Sequence, residues 1–277
     1  MTPTRHATRI PTRLRTVIRL LLLGALLTGS QACTPKKRPL SEPLGVSPAD
    51  IMPMHDRDHY VYLWQRVTSG DVDDEGYHVE HVTILPDEHQ YEITVSEDGS
   101  PAGRLRFFHD GKRVELLSED DLENGIRRSY DPPLVHLRAP LRAGESGSRS
   151  TASITHIDTG QLIARVGVSQ RVRLSRANDI ESVLGHFEEA VLMESRRTLH
   201  TPTGDVEMLS AMVLVPGVGE VRSEGATITG EVMLPGEAPA IDTVLRRELA
   251  CAIVDNRPVG NCRNVEDRLH RLVRPVR

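Results

Sequence analysis

Apolar and polar positions along this chain alternate with a period of two over long stretches, the signature of half-buried strands. Tyr91-Glu-Ile93-Thr-Val95-Ser alternates strictly. Leu105 and Phe107 continue the pattern, and Asp110-Gly111 is a hairpin signal with Val114 and Leu116 beyond it. Upstream, His59–Val67 is rich in β-formers and apolar on both faces, and Gly76–Leu85 reads as a strand closed by Pro86-Asp87. The polar run from Thr68 to Gly76 is expected as a loop, and Asp98-Gly99 as a turn. Asp131-Pro132-Pro133 breaks the chain. Longer strands follow. Ala152, Ile154 and His156 lead to a turn at Asp158-Thr159-Gly160. Ala164, Val166, Val168, Val172 and Leu174 then share one parity, with Gln170 the interruption. Phe187–Met193 and Val206–Val215 are further strands, and Gly217 and Gly219 supply backbone freedom at the turn before the last ones, which end near Leu234. The pattern predicts a mainly β fold, a curved antiparallel sheet forming a half-barrel or sandwich, over residues 55–235.

Both ends depart from this period. Arg5, Arg9, Arg13, Arg15 and Arg19 precede the first acidic residue, Glu42, and are followed by the apolar run Leu20–Leu27. That is the layout of a secretory signal, residues 1–32. The run is too short for a permanent transmembrane helix, which takes roughly 20 residues. Ser30-Gln31-Ala32 satisfies ordinary signal peptidase, and with Cys33 it also resembles a bacterial lipobox, with Ser30 where Leu is usual. Both readings make Cys33 the first mature residue. A cysteine there, ahead of a polar Pro-rich stretch, favours lipidation. The lipobox resemblance implies a diacylglyceryl thioether and an acylated (palmitate-type) amine on Cys33. Thr34 in place of Asp points to the outer membrane. Residues 33–54 are expected as a flexible tether. At the other end, Ile241, Val244, Leu245 and Leu249 are spaced for one helical face. Residues 236–277 are therefore expected as a small C-terminal appendage, either a helical hairpin or a basic tail.

Composition narrows the class. A formal net charge of −5, despite the basic leader, argues against a nucleic-acid partner. Aromatics are 3% of residues, so stacking platforms for sugars or bases are scarce. Of three cysteines, Cys251 and Cys262 remain after Cys33, in a compartment that permits disulfides. A Cys251–Cys262 bridge is expected.

Candidate chemistry is thin. His55 with His59, and His78 with His81, are close in sequence. In extended chain the first pair lies about 13 Å apart, and the second points to opposite faces, so surface histidines are the expectation. Asp71-Val-Asp73-Asp-Glu75-Gly76 imitates a calcium loop, but Val82 stands where the chelating Glu belongs. Gly144-Glu-Ser146-Gly147 approaches a nucleophile elbow, with Ser148 in place of the final Gly. No metal, cofactor or catalytic residue is expected.

Three stretches occur in the order PPLVHLRAPLRAGES (132–146), GHFEEAVLMES (185–195) and VLVPGVGEVRSEG (213–225). This resembles a broad group of bacterial envelope β proteins of unknown function, similar to lipoprotein-carrier half-barrels. The Trp those relatives often carry after the first motif is absent, and Val215 replaces their Ala. The resemblance implies an envelope β protein, and the apolar residues on both faces of several strands point to a non-enzymatic binding or carrier module for an apolar ligand. The alternative is an assembly lipoprotein that docks another envelope protein.

Overall fold

The computed structural model describes residues 41–69, 71–87, 89–229 and 243–260. The expected signal, Cys33 with its expected lipid, Cys262 and most of the C-terminal tail lie outside the described residues.

Among the described residues thirteen strands dominate: β1 (His59–Thr68), β2 (Asp71–Ile84), β3 (Gln90–Glu97), β4 (Ser100–His109), β5 (Arg113–Asp121), β6 (Ile126–Arg138), β7 (Gly144–His156), β8 (Leu162–Ser182), β9 (Gly185–Thr201), β10 (Gly204–Val215), β11 (Gly219–Thr229), β12 (Thr243–Val254) and β13 (Arg257–Val259). Each pairs antiparallel with the next. β12 also pairs with β1 along its whole length, from His59↔Ile253 to Thr68↔Thr243. The sheet is therefore a closed twelve-stranded barrel, with β13 added to the end of β12 over Ala252–Val254. This corrects the expected half-barrel or sandwich. Closure gives the two outermost strands each other's backbone groups, which an open sheet would leave exposed.

The expected helical appendage is also corrected at its described part. Residues 243–254 are the closing strand, and Leu249 is fully buried. Leu245 and Leu249 are four apart, a spacing that shares a face in a helix and in a strand alike. The polar stretch expected as a loop at Asp71–Glu75 is strand too, held by Arg66–Asp74 at 3.1 Å and Gln65–Glu75 at 3.3 Å.

Inward positions follow the two-residue period. On β8, Val166, Val168, Gln170, Val172 and Leu174 are buried while Arg165, Gly167, Arg171 and Arg173 are not. Gln170 does not break the strand: its side-chain amide donates to the Val135 carbonyl at 3.3 Å.

One end of the barrel is stoppered by residues expected in the tether. A short helix, α1 (Pro48–Ile51), is capped by Ser47 and Asp50, each receiving the other's backbone N–H. Leu44, Ile51 and Met54 join the core. Gly217, at positive φ, donates its N–H to the Asp50 carbonyl at 2.7 Å. Residues 41–54 are thus packed structure, not free tether.

Candidate functional site

β11, β12, β1 and β2 run side by side, and at one level their register brings Ser223, Arg247, Trp64 and Gly76 into a row. Against this row lies a cavity of about 850 Å³, also lined by Leu63, Tyr77 and Asp98. Gly76, lacking a side chain, lets the Asp98 carboxylate and the Trp64 indole approach its backbone closely. A Cβ there would fall 2.5 Å from the Asp98 Oδ1 and 2.9 Å from the Trp64 Nε1. Asp98 sits at the β3–β4 turn in the left-handed region, and its carboxylate accepts the Tyr77 N–H at 2.9 Å. Trp64 is the chain's single tryptophan. It is 8% exposed, and its buried indole N–H has no acceptor among the described residues. A buried donor left unpaired costs about 1–3 kcal/mol.

Deeper in the same row, Arg247 gathers an ionic cluster. Its guanidinium reaches Glu220 at 3.1 Å and Glu80 at 3.3 Å, and its Nε donates to Ser223 at 3.2 Å. It also lies over the Tyr62 ring, 5.3 Å from the centroid. Glu80 in turn accepts from His78 at 2.8 Å. Burial disfavours the charged form of both partners. The contact outweighs it, so the hydrogen bonds that His78 donates to Glu80 and Glu97 raise its pKa above the ordinary value. For Glu80, His78 and Arg247 bring the pKa below the carboxylate norm. Burial and the nearby carboxylates push the Tyr62 hydroxyl well up.

A second buried cluster lies on β5, β6 and β9. Arg197 bonds Glu119 at 3.0 Å and faces the Tyr130 ring, and the Tyr130 hydroxyl donates to Glu119 at 2.5 Å. Nearby His136 packs edge-on against Phe107, and its Nε2 is buried without a partner among the described residues. Burial, with Arg197 adding to it, pushes the His136 pKa down to about 3.

The structure disperses the histidines. His55 bonds Asp58 at 3.0 Å, His59 meets His81 across the β1–β2 pair with tilted rings and Nδ1 atoms 3.1 Å apart, and His78 is buried while His81 is exposed. The expectation of surface histidines fails for His78, which the barrel wall encloses. Among the described residues no three His, Cys, Asp or Glu side chains converge as metal ligands. Ser146 lies mid-strand and donates to the Val172 carbonyl, with no strand-to-helix turn beside it. Cys251 is fully buried, and its expected partner Cys262 lies outside the described residues. Sequence reading missed Trp64, Gly76 and Arg247 as a group. The β1–β2 register joins Gly76 to Trp64, and the β12–β1 register joins Arg247 to both. A lone tryptophan two residues from an arginine was the one local hint.

No protein-family model matches this chain. No curated protein matches it either. Two solved structures are similar. An exported protein with a YmcC-like fold from Bacteroides fragilis is 13% identical, with a TM-score of 0.43, covering 75% of this chain and 98% of its own. A lipoprotein from Parabacteroides distasonis is 10% identical, with a TM-score of 0.45, covering 72% and 96%. Likeness at that level bears on neither function nor site.

Proposed function

We propose that this protein is a non-enzymatic binding module of the bacterial envelope. Lipid on Cys33 holds it at the outer membrane, and its barrel takes an amphipathic ligand in the cavity beside Trp64. The observation that carries the reading is the 850 Å³ space against a buried indole N–H with no acceptor among the described residues. Ligand pockets of this size are mostly apolar with a few placed polar groups. Here Trp64 offers the apolar surface, and the indole N–H, Arg247 and Asp98 offer the polar one. A purely apolar ligand would leave the indole N–H unpaired, so a ligand with an acceptor fits better. The two buried clusters neutralise their own charges, which suits a rigid receptor. The Cys251–Cys262 disulfide belongs to the same reading. Non-reducing mass spectrometry should find one peptide joining the two cysteines.

The test uses the mature chain carrying Cys33→Ser. Native mass spectrometry with lipid extraction should find a co-purifying amphiphile at fixed stoichiometry. Monomeric dodecylphosphocholine should shift Trp64 emission saturably, and Trp64→Phe should weaken its binding at least fivefold by calorimetry. An empty protein whose emission does not respond overturns the reading.

A further inference from the structure

We propose that His78 is a proton-operated latch in the barrel wall beside the Trp64 cavity: its charged ring ties β2 to β3 and, through Glu80, to the closing strand β12, and loss of its proton loosens that wall. This holds whatever fills the cavity.

The geometry is that of an imidazolium site. The His78 side chain is 8% exposed, and each of its ring nitrogens faces a carboxylate. Nε2 lies 2.8 Å from the Glu80 Oε1, and Nδ1 lies 3.6 Å from the Glu97 Oε1. A neutral imidazole has one N–H and would turn a lone pair toward one of the two acids. Arg247 Nη1 also comes within 3.2 Å of Nε2. Were Nε2 a lone pair accepting from Arg247, it would face the Glu80 oxygen acceptor against acceptor. With Nε2 protonated, both cations converge on Glu80, which Arg247 meets at 3.3 Å.

The charges of the wall require the same proton. Arg247 is shared by Glu80 and Glu220, each with a side chain only 14% exposed. One guanidinium cannot neutralise two buried carboxylates, and among the described residues the other cationic group on either acid is His78. The remaining groups that face the ring do not supply the charge. Tyr62 on β1 meets it edge-on at 5.8 Å, and Tyr60 is the register partner of Glu80. Burial holds both hydroxyls in their neutral form. Arg66 bears on Glu97 from a distance and is paired with Asp74 at 3.1 Å.

The latch lies across the closure of the barrel. Tyr62 pairs with His78 on one side and with Leu249 of β12 on the other, and His78 pairs with Glu97 of β3. Arg247, the second cation on Glu80, pairs with Trp64 and lines the cavity. Deprotonation leaves a buried carboxylate without its counter-charge, which is strongly unfavourable. Burial alone would lower the His78 pKa, but the two carboxylates raise it above the ordinary value. The stability it contributes is therefore full below the unfolded value of about 6.5 and is lost as the pH rises through the folded one.

The experiment uses the mature Cys33→Ser chain, with Trp64 as the single tryptophan. Between pH 6 and 9 the Trp64 emission should shift with a midpoint above that of an ordinary histidine. Exchange of the Leu245–Leu249 amides, corrected for its intrinsic base catalysis, should quicken at least threefold over the same range. His78→Gln keeps a donor for Glu80 but no charge, and should show neither change. Glu97→Gln, at a half-exposed position, serves where His78→Gln does not fold. It removes one acid from the ring and should move the midpoint down. Three results overturn the proposal: no change in emission or exchange between pH 6 and 9, a full pH response in His78→Gln, or an unmoved midpoint in Glu97→Gln.

Discussion

A buried guanidinium costs several kcal/mol in desolvation unless carboxylates meet it, and Arg247 meets both Glu80 and Glu220. Replacing it with Met should leave those two acids uncompensated and lower stability by about 3–5 kcal/mol, measured as a shift in the urea midpoint. His136 works in the opposite sense. Its folded pKa of about 3 lies far below the ordinary value, so the native ring stays neutral while the unfolded chain takes up a proton. Stability from this group is full above the unfolded pKa and is lost as the pH falls toward the folded one. The slope is about 1.4 kcal/mol per pH unit for one proton. His136→Phe should therefore hold its urea midpoint between pH 6.5 and 4 better than the native protein, by roughly 3 kcal/mol at the acid end. An unchanged pH profile would show that the native ring is accessible to protons. Neither role was legible beforehand. Arg247 lies in a stretch rich in arginine, and nothing local distinguishes it from Arg246, which points the other way.

The elements were legible where their period was unambiguous. The alternation on β3, β4 and β8 found strands because one face of each meets the core and the other meets solvent. β12 was misread because Leu245 and Leu249 fit both periods, and what decided between them lies far away in sequence, at the free edge of β1. The two assignments differ in a measurable way. In a detached appendage Leu249→Ala would be nearly neutral. In the closing strand it should cost about 2–5 kcal/mol, read from denaturant unfolding. Gly76 gives a second test at this scale. Gly76→Ala places a methyl group against Asp98 and Trp64, and should cost about 1–3 kcal/mol as overpacking. It should also shift Trp64 emission, whereas Gly160→Ala, with nothing within 4 Å of its Cβ, should not.

For the molecule as a whole, the two questions are where it resides and what closes it. Cys33→Ser should move the protein from the membrane fraction to the soluble periplasm, and continued membrane retention would contradict the lipid anchor. The proposed address rests on local features, a basic leader, an apolar run and a small-x-small-Cys site, because the machinery that would read it sees a linear segment. The strand-rich class is equally local, since it rests on side chains alternating about a pleated backbone. The sequence by itself determined that much: a β domain and most strand positions. Closure was decided only by tertiary structure, because the β12–β1 ladder joins residues more than 170 positions apart, and no short-range pattern encodes that register. The same holds for the cavity at Trp64 and the ion cluster at Arg247, whose members come from strands at opposite ends of the chain. A curved sheet and a closed barrel have the same alternation along each strand, and they differ only in whether the last edge finds the first.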